Sequence, residues 1–230
     1  MNLLKLRKLH RWAALVVGAQ VLLWTVSGIM FAWLDHQEVL GEGLAVAPAP
    51  TALAADAEVL EPARLQEVLG TGRVRALALH ALDGQWVYRV ESEDGVQLRR
   101  ARDGARLAID DATARRLAAT HYRGDGRLEA VRHHAGPTLE TRDSGPTWEA
   151  AYDDATGTRL YFSAEDGALV AVRTNAWRLK DVFWMLHTMD YRGRDDFNNP
   201  LVVLAGASAA WVALTGLWLL VRVFRRRQKP

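Results

Sequence analysis

Trp12–Leu34, WAALVVGAQVLLWTVSGIMFAWL, and Leu201–Val221, LVVLAGASAAWVALTGLWLLV, are the stretches on which the fold turns. A helix needs about 20 apolar residues to cross a bilayer's hydrocarbon core. The first run supplies 23 residues and the second 21, and neither contains a charged side chain. Backbone polar groups in hydrocarbon must bond within their own segment, so both runs predict helices. The polar exceptions, Gln20, Thr25, Ser27, Ser208 and Thr215, are mild, because hydroxyls can bond back to the carbonyls of their own helix.

The flanks of these runs set an orientation. Lys5, Arg7, Lys8 and Arg11 precede the first, while Arg222, Arg225, Arg226, Arg227 and Lys229 follow the second, with no acid among either set. Positive flanks stay cytoplasmic, which predicts a two-pass chain with both termini inside and the long middle outside. The chain has 29 Lys+Arg and 27 Asp+Glu; without the nine flanking bases the middle carries about −7. The basic overall balance is therefore topological and argues against nucleic acid as a partner. A cleaved signal peptide is the competing reading, with Ala45-Val46-Ala47 as its cleavage site. The apolar run is longer than a signal peptide's, and that site lies well beyond Leu34, so an uncleaved anchor is expected. Trp12, Trp33, Trp177 and Trp184 fall near the expected interfaces, where amphipathic rings prefer to lie. Small residues four apart (Ala14 and Gly18, Ala205 and Ala209, Gly206 and Ala210) permit close helix contact and suggest pairing with a second copy.

The chain has no cysteine, which excludes disulfides, iron–sulfur clusters and covalently attached haem. Residues 41–58, rich in Ala and Pro, read as a linker. A short helix is expected over Glu61–Leu69, with Pro62 suited to its first turn. Strand spacing follows in Trp86, Tyr88 and Val90, with turns at Asp94-Gly95 and Asp103-Gly104. The pattern then recurs: a helix over Asp111–Thr120, a strand over Leu128–His133, an exposed loop over Gly136–Pro146, strand residues Trp148, Ala150 and Tyr152, and turns at Thr156-Gly157 and Asp166-Gly167. Trp86 to Gly95 and Trp148 to Gly157 are both nine residues, which predicts a duplicated helix-plus-antiparallel-sheet unit with the two tryptophans at equivalent core positions.

These units, ending in DGARLAID (103–110) and DGALVAVRT (166–174), resemble PepSY domains. LRKLHRWAALVVGAQVLLWTVSGIMFAW (6–33) resembles the PepSY-associated transmembrane helix, and WMLHTMDYRGRDDFNNPLVVLAGASAAWVALTGLWLL (184–220) resembles the later part of the same family. The resemblance implies an α+β protein of the bacterial inner membrane. Residues 1–35 would be a cytoplasmic flank and first transmembrane helix, 36–58 a linker, and 59–110 and 111–175 two periplasmic PepSY-like repeats. Residues 176–199 would form an interfacial helix and turn, and 200–230 the second transmembrane helix and basic tail. Longer relatives of this kind include haem-carrying ferric-siderophore reductases and fusions to flavin reductases. This chain has two spans and no fused reductase, so what the resemblance implies is a subunit of a membrane oxidoreductase rather than an autonomous enzyme.

Seven histidines are candidates for that chemistry, and three lie near the expected membrane boundaries: His10, His36 and His187. Without cysteine, haem iron is commonly held by imidazole nitrogen within an apolar wall. His36 and His187 fall at the outer face, where they could share one iron within a chain or across a dimer. His10 lies about 39 Å from His36 along a straight helix, and as a haem ligand it needs the same residue of another subunit or another protein. The resemblance implies haem b as cofactor, a homodimer forming a four-helix bundle, a flavin reductase or quinol as electron donor, and ferric siderophore as acceptor. The alternative is a non-enzymatic, membrane-anchored module that binds a periplasmic partner or regulates a peptidase. His133 and His134 are adjacent and make a poor chelate, and His80 and His121 are expected at the surface. No Gly-x-Ser-x-Gly, His-Glu-x-x-His or P-loop occurs, and GEGLAV (41–46) and GTGRVR (70–75) lack the third glycine of a dinucleotide fingerprint. Asp190, Asp195 and Asp196 read as a solvated turn paired with Arg192 and Arg194, or as a docking edge.

Overall fold

A computed structural model describes residues 3–49, 51–54, 56–70, 74–93 and 95–227. In chain order the elements are α1 (Leu3–Trp33), α2 (His36–Leu40), α3 (Pro62–Leu69), β1 (Val74–Leu82), β2 (Gln85–Ser92), β3 (Gly95–Arg100), β4 (Arg106–Leu107), α4 (Asp111–His121), β5 (Leu128–His134), β6 (Thr147–Tyr152), β7 (Arg159–Ser163), β8 (Leu169–Arg173), α5 (Asn175–Thr188) and α6 (Pro200–Arg227). They divide into two compact units. One holds the first 35 residues with those from Arg178 onward, and the other holds His36–Trp177.

The second unit contains two four-stranded antiparallel sheets, ordered β1-β2-β3-β4 and β5-β6-β7-β8. Each sheet follows a helix. Pro62 opens α3, where its missing N–H costs nothing. The carboxylate of Asp110 caps α4 by accepting from the Thr113 N–H at 2.8 Å. The duplication is exact at one turn in each sheet. The Gly104 N–H donates to the Arg100 carbonyl at 2.9 Å, and the Gly167 N–H to the Ser163 carbonyl at 2.9 Å. Both glycines have positive φ, 70° and 71°, a conformation L side chains rarely adopt. A Cβ on Gly104 would meet side chains of Leu60, Leu65 and Val68, and one on Gly167 would meet Leu82, Ile109 and Leu117.

The two sheets are not independent. Leu82, Val87 and Leu98 of the first share one core with Ala150, Leu160 and Phe162 of the second and with Leu117 and Ala118 of α4. Burying each such leucine or phenylalanine contributes about 1.5–3 kcal/mol. A smaller cluster of Leu65, Tyr88, Val90 and Ala101 lies beneath α3. Trp86 packs on the smaller cluster and Trp148 on the larger, each half-buried.

Several local expectations change. Strand β1 carries no alternating pattern (VRALALHAL), yet it pairs along its length with β2. The first part of the expected linker is fixed: Val39 is buried, Ala45 bridges to Tyr122, and the Val46 N–H donates to the His121 carbonyl at 2.9 Å. The 136–146 loop is only partly exposed. Its Thr141 is buried, and its Glu140 carboxylate accepts from the Tyr161 hydroxyl at 2.9 Å. The Asp94 half of one expected turn lies outside the described residues.

The helical unit contains two helices, Leu4–Trp33 and Pro200–Arg225, long and apolar enough to cross a membrane. They run antiparallel, since His10 meets Thr215 while Trp24 and Val202 line one pocket. Asn199 begins α6: its Oδ1 accepts from the Leu201 and Val202 N–H groups at 3.0 and 3.1 Å, and its Nδ2 donates to the Thr188 carbonyl at 2.8 Å. Proline in the next position suits a first helical turn. The preceding turn is not built as expected from adjacent charge pairs. The Asp190 carboxylate accepts four backbone N–H groups, those of Arg192, Gly193, Asp195 and Asp196. These bonds hold its pKa below the ordinary carboxylate range, the Asp196 N–H contributing most. Arg194 instead reaches back to the buried Asp181 of α5.

Candidate functional site

Along α1, His10, Ala13, Val17, Gln20, Trp24, Ser27 and Phe31 recur at alternating intervals of three and four, and each is half-buried or buried. That spacing is the seam of one helix laid along another. Most large apolar side chains off the seam are exposed, such as Leu15 at 65% and Val16 at 72%. The seam therefore collects Gln20 and Ser27, while Thr25 lies on an outward surface that is otherwise apolar. Polar groups in a membrane-type helix that face its partner are the usual mark of a functional interior.

His10 occupies one end of the seam. Its Nδ1 lies 2.8 Å from Thr215 Oγ1 on α6. The neighbouring Gly216 makes space for the ring, because a Cβ there would come within 3.2 Å of His10 Cε1. At the other end stands His187, in the last turn of α5. Its Nδ1 lies 2.7 Å from the Oγ of Ser27, the only buried residue of α1 among those described. The Trp24 indole N–H donates to the His187 carbonyl at 2.8 Å, and the Phe31 ring meets the imidazole edge-on at 5.6 Å. A pocket of about 460 Å³ opens beside it, lined by Trp24, Trp184, His187, Thr188, Phe197 and Val202.

The two imidazoles stand at separate levels. Ser27 is 17 residues along α1 from His10, roughly 25 Å of helix rise. His36 does not continue this helix, which stops at Trp33. It opens α2 with an exposed side chain and belongs to the other compact unit. Midway along the seam, the Gln20 Nε2 is buried with no hydrogen-bond partner among the described residues.

The remaining histidines are accounted for locally. His121 is buried, not at the surface: its Nδ1 lies 2.8 Å from the Leu117 carbonyl and its ring meets Phe162 edge-on. Burial lowers its pKa. His134 contacts the buried Glu149 at 2.7 Å, and His133 packs on Trp148. Among the described residues, no three His, Asp or Glu side chains gather as a metal site.

The sheet unit has a cleft of its own, about 780 Å³, lined by Leu79, His80, Trp86, Arg89, Leu117, His121 and Asp166 with Pro48, Ala49, Thr51 and Leu53 along it. Arg89 Nε donates to the Asp166 carboxylate at 2.9 Å. Burial works to raise the Asp166 pKa, but this bond and the Ala168 N–H outweigh it and hold the group below its ordinary value. Burial also lowers the pKa of His80, against the pull of Asp166.

Sequence reasoning picked out His10 and His187 but missed the hydroxyls behind them. A signal was present: the two apolar runs each place a hydroxyl residue before glycine, Ser27-Gly28 and Thr215-Gly216. No protein-family model matches the chain, and no curated protein or solved structure matches it.

Proposed function

We propose that this chain is a two-pass inner-membrane protein of the PepSY type that holds haem b at its helix pair and carries electrons across the membrane. The donor would be a cytoplasmic flavin reductase or a quinol, and the acceptor an oxidised iron chelate such as ferric siderophore outside. One observation carries the reading: two histidines at opposite ends of one helix seam each rest a ring nitrogen on a hydroxyl of another helix. That is the arrangement in which imidazole serves a metal, with its second nitrogen oriented by an outer partner.

The donor set suits haem. Each level offers one imidazole with no competing thiolate or carboxylate on the seam of α1, and the His187 level adds aromatic and aliphatic walls. The Gln20 amide is a buried donor with no partner among the described residues, which leaves it for a bound group. His187 would hold one haem and His10 a second, and His36 stays a candidate through its place beyond the first span. Haem supplies reversible one-electron chemistry at its iron. The chain's own contribution is to orient the imidazoles, exclude water and surround the site with low-dielectric walls. One imidazole per level also favours a homodimer, in which a second copy completes each ligand pair within a four-helix bundle.

The test is a reduced-minus-oxidised visible spectrum of the full chain, purified in mild detergent from haem-replete cells. Haem b bands are expected, and His10→Ala and His187→Ala should each remove part of them. A wild-type spectrum without bands overturns the reading.

The cleft of the sheet unit favours a second reading, a binding module for a periplasmic partner with the helices as its anchor. Its size and mixed lining of Trp86, Leu79, Arg89 and Asp166 suit a small ligand or a peptide segment. A protein without haem whose Trp86→Ala variant loses a captured periplasmic partner would favour this alternative.

A further inference from the structure

The two hydroxyls have a consequence for which nitrogen of each histidine is free. Ser27 Oγ lies 2.8 Å from the Leu23 carbonyl oxygen, 3.0 Å from that of Trp24 and 2.7 Å from His187 Nδ1. A hydroxyl has one proton to give. Were it given to the imidazole, Oγ would face two carbonyl oxygens at bonding distance with no hydrogen between them. Given to the helix carbonyls, it leaves an Oγ lone pair for an imidazole N–H, and every short contact becomes attractive. Such back-bonding to residues three and four earlier is the ordinary habit of helical Ser and Thr.

Thr215 repeats the geometry independently. Its Oγ1 lies 2.8 Å from the Trp211 carbonyl oxygen, 3.1 Å from that of Val212 and 2.8 Å from His10 Nδ1. We infer that Ser27 and Thr215 are positioning residues that fix His187 and His10 in the Nδ1–H tautomer, so that each presents an unprotonated Nε2 lone pair to a ligand. Only the identity of that ligand rests on the haem reading. A free imidazole exchanges between its two tautomers, and one with its proton on Nε2 must lose it before coordinating through that atom. The hydroxyls remove that requirement.

The experiment is ¹⁵N spectroscopy of the full chain, labelled at histidine and reconstituted in lipid nanodiscs without added haem. A protonated ring nitrogen and a bare one resonate far apart, so the tautomer is read directly. His10 and His187 are expected to show protonated Nδ1 and bare Nε2. Ser27→Ala should release His187 into a mixture of tautomers and leave His10 unchanged, Thr215→Val should do the reverse, and Ser27→Thr should restore the wild-type pattern. A wild-type chain with the proton on Nε2, or variants whose tautomers do not move, overturns the inference. If a variant fails to fold, the wild-type spectrum decides alone. Absence of haem would overturn the proposed function without touching the tautomer result, so the two failures are distinguishable.

Discussion

Ser27 and His187, 160 residues apart in sequence, meet at 2.7 Å in the most enclosed position of the helix pair. The second such contact, His10 with Thr215, spans 205 residues. Each joins segments that local sequence cannot relate. In both, the histidine belongs to one segment and the hydroxyl to another, so neither site is the property of a single helix. Polar contacts of this kind between helices in lipid contribute about 0.6–2 kcal/mol. Their larger effect here is on geometry, because they set where the imidazoles stand.

Gly216→Val should displace the His10 ring, since even a Cβ at that position would approach it to 3.2 Å. If haem is held as proposed above, the expected result is loss of the signal that depends on His10, with the His187 signal kept. Retention of both signals at wild-type intensity would show that the ring has room to spare.

Asn199→Ala should destabilise the helical unit by about 1 kcal/mol, the ordinary cost of losing a helix cap. The measurement is the midpoint of denaturant unfolding in detergent, followed by tryptophan emission. Asn199→Asp should fall between wild type and alanine, because it keeps an acceptor for the Leu201 and Val202 N–H groups but loses the donor to Thr188.

Acid should unfold the sheet unit in two windows. His80 and His121 have pKa values lowered by burial, so the unfolded chain binds protons first as pH drops below about 6.5, and stability declines from there. Asp154 then contributes. Burial would raise its pKa, but bonds from Thr158, Tyr122 and Thr156 hold it down at about 2, against an ordinary 3.8. The stability it supplies is complete above about pH 4 and is lost as pH falls toward 2. Asp154→Asn should be less stable at neutral pH and show a shallower loss over that lower window. Equal slopes in a pH series of thermal midpoints would rule Asp154 out as the cause.

The absence of cysteine makes topology directly measurable. Single cysteines at exposed Ala47 and Leu4 should behave oppositely in intact spheroplasts: Ala47→Cys labelled by an impermeant maleimide, Leu4→Cys labelled only after lysis. Labelling of both from outside would contradict the two-pass arrangement.

Much of the fold could be read from residue order. The two long helices follow from uninterrupted apolar length, and α4 and the strands bearing Trp86 and Trp148 follow from periodicity and turn residues. Other features could not be read, for physical reasons. β1 is hidden because alanine fills positions where alternation would show. The seam of α1 is hidden because its outward side is as apolar as its inward side, so periodicity vanishes and only Gln20 and Ser27 mark the packed face. His121 looked like a surface residue because its burial depends on Phe162 and on the chain near Val46, both distant in sequence. Asp190 looked like one acid among several until its backbone partners were in place.

The exchange of partners between helices also orders the protein's own making. His187 finds Ser27 once α5 has emerged and folded back on α1, whereas His10, though synthesised among the first residues, does not meet Thr215 until α6 has been made. The earliest histidine is thus completed last. A nascent chain lacking its final helix would have one imidazole pre-set and one still free to rotate.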